Sequence, residues 1–259
     1  MKDFLEKTIR EAGSIAHEYF IRGVEHSTKS NPTDFLTIAD TTVSEFLVDA
    51  IHAQYPDHHI KSEELSADIN AGASYEWIID PVDGTRNFAT GVPMWAVIIA
   101  IVHNGEPLHA AVYFPVSDQL FFASKGQGAY LNGKPIVVSR TDTTEYATGN
   151  VYRSPQDRGP YGDYVTRYRV ATSKIFADTD MRCTNFGSAA SFCFVANGAL
   201  DFALGNSGLD WDYIAPFLIC KEAGAIVTDS DGHPWKRGRQ DYIIANPDIH
   251  PKIMKLFLP

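Results

Sequence analysis

Trp77-Ile78-Ile79 is a short apolar run rich in β-branched residues, the signature of a buried strand end. It stops at Asp80-Pro81-Val82-Asp83-Gly84-Thr85. Pro81 fixes its own φ and carries no N–H, while Gly84 lets the backbone come close to a ligand. Two carboxylates three residues apart on a turn can converge on one hard cation, or on two. A helix beginning near Gly84 and Thr85 would aim its free N–H groups at the same place, where an anion is favoured. Acids for a metal beside a helix start for an anion suggest metal-assisted phosphate chemistry. The other reading of the same residues is a strand-to-helix junction in which Asp80 and Asp83 are caps.

The rest of the chain supplies layers for such a junction. Phe4, Leu5, Ile9, Ala12, Ile15, Ala16, Tyr19 and Phe20 recur at helical spacing, so the chain opens with an amphipathic helix. Lys29-Ser30-Asn31-Pro32-Thr33-Asp34 is turn chemistry, with Lys29 a solvated charge. Asp40, as N-cap, leads a second helix with Val43, Phe46, Leu47, Ala50 and Ile51 on one face. His58-His59 reads as a solvated loop pair, since neighbouring strand residues face opposite ways. Apolar stretches at 94–102, 108–114, 120–123 and 135–138, broken by turn signals such as Asn132-Gly133, predict a mostly antiparallel meander. After a polar segment at 141–150 the pattern alternates helix and strand. Gly187 to Ala190 opens a helix running to Ala199, and 201–204 is a strand. Trp211-Asp212 starts another helix, 225–228 and 242–245 are strands, and a helix closes the chain from Pro247. The division falls into an N-terminal half, 1–145, and a C-terminal half, 146–259.

Composition excludes some partners. The net charge of −10 over 259 residues argues against nucleic acid or an anionic membrane surface. It also demands bound cations if the substrate is itself an anion. Cys183, Cys193 and Cys220 are odd in number and lack CxxC spacing, as expected of free thiols in a reducing compartment. The first residues, MKDFLEKTIREAG, carry acids and lack the apolar core of a signal peptide, and the longest apolar run, Val92 to Val102, is too short for a bilayer. The expectation is a soluble, cytoplasmic protein.

WIIDPVDGTRNF resembles the metal-binding signature of the inositol monophosphatase family, magnesium-dependent and lithium-sensitive phosphomonoesterases. Leu209-Asp210-Trp211-Asp212-Tyr213-Ile214-Ala215-Pro216, followed by Glu222-Ala223-Gly224, resembles the family's C-terminal motif. The likeness runs from about Lys29 to Asn246. It implies the family's layered α-β-α-β-α sandwich, shared with fructose-1,6-bisphosphatases, and a homodimer. It implies two Mg²⁺ ions, with a weaker third under the loop at Lys29. Glu63, Asp80 and the Val82 carbonyl would hold the first ion. Asp80 would bridge to a second, completed by Asp83 and Asp212. Thr85 would hydrogen-bond the attacking water, with Asp40 orienting its hydroxyl. Phosphate would rest on the Gly84 and Thr85 N–H groups. Gly187, Ser188, Ala189, Gly205 and Asp212 would lie on the substrate side. All-oxygen ligation suits Mg²⁺ and not zinc. Ser188 has no triad partners and reads as a helix cap, not a nucleophile. Trp211 reads as core.

The implied activity is hydrolysis of a small alcohol phosphate, inositol monophosphate-like. Histidinol phosphate, fructose 1,6-bisphosphate and a 3′-phosphonucleotide are the alternatives within the family, and a non-catalytic binding module the alternative outside it. Two positions depart from the inositol-specific pattern: Gly205 stands where those members carry a glutamate, and Thr184 where they carry an arginine. Asp210 is the residue that could meet a polar or cationic substrate instead.

Overall fold

The residues from Ala96 to Val102 are apolar without a break because both sides of their strand are covered. Ala96, Ile98, Ala100 and Val102 enter one core, and Val97, Ile99 and Ile101 enter another. The same alternation holds at Ile78 against Trp77 and Ile79, and at Val112 against Ala111 and Tyr113. Successive side chains of a strand point to opposite faces, so a doubly covered sheet buries every residue.

The computed structural model describes residues 1–23, 26–28, 35–152, 164–206 and 208–257. Helices α1 (Lys2–Arg22) and α2 (Ile38–Gln54) bracket a small antiparallel pair, β1 (His26–Thr28) and β2 (Phe35–Thr37). Next come β3 (His59–Ser62), β4 (Tyr75–Asp83) and the short α3 (Thr85–Ala89). Strands β5 (Ala96–His103), β6 (Glu106–Phe114), β7 (Gln119–Ser124), β8 (Ala129–Leu131) and β9 (Lys134–Ile136) complete a seven-stranded sheet in sequence order. It is antiparallel except for β3 beside β4. Asn132 and Gly133, both at positive φ, make the two-residue turn between β8 and β9.

The second sheet is built from β10 (Thr148–Val151), β11 (Arg182–Thr184), β12 (Phe202–Gly205), β13 (Ile226–Thr228) and β14 (Tyr242–Ala245), in the order β11-β10-β12-β14-β13. Its helices are α4 (Tyr164–Asp178), α5 (Ala190–Ala196), α6 (Asp210–Glu222) and α7 (His250–Leu256). Each core joins two layers. Leu5, Ile9, Val43 and Leu47 from α1 and α2 pack on one face of the first sheet. Phe192, Val195, Phe217 and Leu218 from α5 and α6 fill the space between the two sheets. Tyr168, Ile175 and Ile253 from α4 and α7, with Ile249 just before α7, cover the far face of the second sheet. This is the α-β-α-β-α sandwich.

Several elements differ from the sequence reading. β4 runs on to Asp83 instead of ending at Ile79, and its register with β5 shifts between Asp80 and Asp83. The irregularity accommodates Pro81, which has no N–H to give a ladder. α2 begins at Ile38, capped by Thr37, so Asp40 is not the N-cap. The strand assigned to 201–204 runs from Phe202 to Gly205, and α5 stops at Ala196. α4 has no counterpart in the sequence reading, its apolar residues being interleaved with Arg167, Arg169 and Lys174. The two histidines are not solvated. His58 accepts the Trp77 indole N–H at 3.0 Å and stacks between Tyr55 and Tyr75, while His59 meets Asp68 at 2.9 Å. Among the described residues no helix is long and apolar enough to cross a membrane, and all three cysteines are free.

Candidate active site

Three acids from two distant segments meet at the end of β4. Carboxylate oxygens of Asp80, Asp83 and Asp212 all lie within 4.8 Å of one another. The strand irregularity turns both Asp80 and Asp83 toward this point, and α6 delivers Asp212 from its third residue. Asp212 also closes its helix, accepting the Leu209 N–H at 2.6 Å. It is thus not the N-cap of a helix from Tyr213.

The setting is hostile to bare negative charge. Asp80 is 1% exposed and Asp83 7%. Burial holds the Asp80 carboxyl well above the usual carboxylate range, and the charges of Glu63, Asp83, Asp212 and Asp40 push the same way. Asp83 is raised by burial first and by Asp212 and Glu63 after it; the Ala189 N–H, donating to it at 2.7 Å, works in the opposite direction. Glu63 is outside the trio of oxygens but placed beside it, since its N–H extends the β3–β4 ladder by donating to the Ile79 carbonyl at 3.1 Å. Carboxylate oxygens crowded and buried in this way are what a hard divalent cation satisfies.

Above the acids the backbone closes in. Gly84 has φ +77°, and a Cβ there would meet the Ser188 Cβ at 3.0 Å and the Met94 carbonyl at 3.1 Å. Glycine is therefore required twice over, by conformation and by the approach of the 187–188 loop. Asn87 secures that approach by donating to the carbonyls of Met94 and Phe186, both at 2.7 Å. The Thr85 hydroxyl contacts the Val82 carbonyl at 2.9 Å and Asp40 Oδ1 at 3.3 Å. Asp40, 1% exposed, is held by its other oxygen, which accepts from the Thr37 N–H at 2.8 Å and hydroxyl at 2.6 Å. A capping box at the start of α2 thus fixes the carboxylate that faces Thr85.

A cavity of about 170 Å³ opens from these acids. Gly84, Gly187, Ser188 and Ala189 line it beside Asp83 and Asp212, and Ser188 Oγ accepts the Ala190 N–H at 3.3 Å, as a cap does. Tyr152, Asn150, Phe192, Tyr213 and Tyr242 form its other wall. Tyr242 was concealed in an apolar strand, where nothing local marks a cavity residue. Gly205 does not line the cavity; Tyr242 stands in front of it. Thr184 donates to the Gly149 carbonyl at 3.1 Å. Asp210 is spoken for, with Arg237 Nε at 2.6 Å and Lys61 Nζ at 3.4 Å, so it is not free to meet a cationic substrate. Trp211 packs against the inter-sheet core and under Lys61. Lys29 lies outside the described residues. A second acid group, Asp229, Asp231 and His233, already has a cation, since Arg239 approaches Asp229 at 3.5 Å and Asp231 at 3.4 Å.

Comparisons with known proteins bear on the family and the fold. A family model described as the inositol monophosphatase family matches residues 1–258. A protein from Aquifex aeolicus named fructose-1,6-bisphosphatase/inositol-1-monophosphatase is 33% identical over 233 residues, covering 90% of this chain and 85% of its own. Nus factor SuhB from Escherichia coli is 34% identical over 238 residues, covering 90% of this chain and 86% of its own. Among solved structures, an IMPase from Thermotoga maritima superimposes with a TM-score of 0.85 at 30% identity, over 98% of this chain and 95% of that one.

Proposed function

The chain belongs to the inositol monophosphatase family, and we propose that it is a Mg²⁺-dependent phosphomonoesterase that hydrolyses a small alcohol phosphate with water as nucleophile. The observation that carries this reading is the convergence of Asp80, Asp83 and Asp212 beneath the glycine-lined loops at Gly84 and Gly187. The donor set fits magnesium: it is all oxygen, largely buried, and electrostatically unfavourable without a cation.

In this reading Glu63, Asp80, the Val82 carbonyl, Asp83 and Asp212 would hold the ions, Glu63 and the Val82 carbonyl on one side of Asp80 and Asp83 and Asp212 on the other. Bound divalent ions supply a nucleophile from water and neutralise the leaving oxygen. The protein's own groups do the positioning. The Thr85 hydroxyl, with its proton directed to Val82 and Asp40, offers its lone pairs to an attacking water. The N–H groups of Gly84 and Thr85 face the phosphate, and the loop from Gly187 to Ala189 closes over the ester. No group in this arrangement forms a covalent phosphoenzyme. The two sheets are read as halves, 1–145 with most of the metal ligands and 146–259 with Asp212 and the substrate loops. Family membership carries the further expectations of a homodimer and of inhibition by lithium.

The test is release of inorganic phosphate from a panel of polyol, sugar, histidinol and nucleotide phosphates, with Mg²⁺ and with EDTA. Release that requires Mg²⁺ supports the reading. Several relatives bear the name of a Nus factor and not of an enzyme, so a partner-binding role is the second reading, and absence of release from every ester would favour it.

A further inference from the structure

Gly205 and Tyr242 are direct cross-strand partners in the β12–β14 ladder, and the backbone at Gly205 is not in the left-handed region. What calls for glycine there is space. A Cβ at position 205 would lie 2.3 Å from the Tyr242 hydroxyl oxygen and 2.5 Å from Cζ. The tip of the phenol occupies the volume that a side chain at 205 would take. Asn150 stands on the same face of the second sheet. It is level with Ala203 on β12, Ala203 is level with Ile244 on β14, and Tyr242 is two residues from Ile244. Asn150 and Tyr242 both line the cavity of the acids.

Each brings a donor to that wall. Asn150 is 2% exposed and Tyr242 3%. Asn150 Oδ1 accepts the Phe186 N–H at 3.1 Å. A backbone N–H can be met only by the amide oxygen, so this contact also fixes where the NH₂ lies. Among the described residues neither that NH₂ nor the Tyr242 hydroxyl has a hydrogen-bond partner. The phenol is not able to swing away and find one, because its ring meets Phe192 at 5.0 Å, Tyr213 at 5.3 Å and Phe217 at 5.5 Å. Burial pushes its pKa up, so the group stays an O–H. Two other hydroxyls of the lining residues are already donating, Ser191 to the Ser188 carbonyl at 3.2 Å and Tyr213 to the Gln240 carbonyl at 2.9 Å. Buried donors in folded proteins are paired, and one that is not calls for an explanation. Two of them on the wall of one cavity are explained by what enters it.

We propose that the Asn150 amide and the Tyr242 hydroxyl set the specificity of the site by donating to acceptor oxygens on the alcohol part of the phosphate ester. The substrate then carries an ether, carbonyl or hydroxyl oxygen beyond its ester linkage. The proposal rests on the phosphatase reading above and assigns the residues that read the alcohol.

The experiment compares n-butyl phosphate with 2-methoxyethyl phosphate, which differ by one CH₂ replaced by an oxygen that accepts and does not donate. With Mg²⁺, the wild-type protein should show kcat/KM for the ether ester at least about tenfold above the butyl ester. The inductive pull of the ether oxygen on the leaving group is the same in every variant, so a change in this ratio reports binding. Tyr242→Phe keeps the ring and its contacts and removes only the hydroxyl, and it should fold. It should lower the ether-to-butyl ratio at least about fivefold, mainly through KM. Asn150→Ala should lower it in the same direction. A wild-type ratio near one overturns the proposal, as does a ratio unmoved in Tyr242→Phe. Binding is read in parallel from thermal shifts with Mg²⁺, using n-pentylphosphonate and 3-methoxypropylphosphonate, in which CH₂ replaces the ester oxygen. A larger shift from the ether phosphonate, lost in Tyr242→Phe, with no turnover of either ester would overturn the phosphatase reading and leave the two donors standing. Equal shifts from the two phosphonates in the wild-type protein would overturn the donors themselves.

Discussion

Arg237 grips Glu76 with both terminal nitrogens, Nη1 to Oε2 at 2.7 Å and Nη2 to Oε1 at 2.8 Å, across 161 residues of chain. Glu76 sits in β4, four residues before Asp80, and is 8% exposed. The same guanidinium turns its Nε to Asp210, the first residue of α6. One side chain therefore ties the strand that carries Asp80 and Asp83 to the helix that carries Asp212, in the bidentate geometry arginine favours.

Replacing it should loosen both fold and site. Arg237→Met should lower stability by about 1–2 kcal/mol, less than the ~3–5 kcal/mol of a fully buried pair because its side chain is 37% exposed. The Mg²⁺ concentration for half-maximal activity should rise as α6 shifts. Urea titrations and a Mg²⁺ titration measure the two effects. Unchanged values in both would mean that the contact is incidental.

Asp83→Asn should cost several orders of magnitude in turnover and leave the fold intact. The amide keeps an oxygen for the Ala189 N–H, and it removes one charge from a buried cluster of like charges. Melting in EDTA should accordingly be no lower than that of the unaltered protein. Near-normal activity in this variant would rule out the metal assignment.

His250 provides a pH signature away from the site. It is 6% exposed, paired with the Thr228 hydroxyl at 2.9 Å, and burial pushes its pKa down to about 4. The unfolded chain binds the proton first, at about pH 6.5. Its contribution is complete above that pH and is lost as pH falls toward 4, by about 2–3 kcal/mol. The difference in unfolding free energy between the wild-type protein and His250→Gln, followed from pH 7 to 4, separates the His250 contribution from that of the carboxylates. A difference independent of pH would remove His250 as its source.

Gly13→Ala should run against helix propensity. In the middle of an exposed helix the change would add about 1 kcal/mol. Here the new Cβ would stand 2.5 Å from the Tyr113 ring and 2.9 Å from Pro115. α1 would have to lift from the first sheet, and the net effect should be a loss of about 1–3 kcal/mol. A rise in Tm would show that the helix–sheet contact is slack.

Most of the site was legible where its chemistry is local. The strand, the paired acids, the glycine and the helix start lie within twelve consecutive residues, Trp77 to Phe88, and spacing along the chain dictates their juxtaposition. Local signals also misled. Asp40 looks like an N-cap because a helix follows it, yet Thr37 makes the cap and Asp40 faces back to Thr85. His58 and His59 look like a wet loop because nothing nearby in sequence announces the Trp77 indole or Asp68. Asp210 looks available because Arg237 is 27 residues away.

The sequence by itself determined the layer pattern, the two acid-bearing motifs and the family, since periodicity and short motifs are properties of neighbouring residues. Only the tertiary structure decided which side of each motif faces the cavity and what stands opposite. Asp212 reaches Asp83 because two sheets pack on the same pair of helices. Tyr242 covers Gly205 because β12 and β14 pair in that register and not one residue over. Contacts between residues far apart in the chain depend on how whole layers seat against one another, and that seating is the sum of many weak, non-directional burials that no short segment encodes.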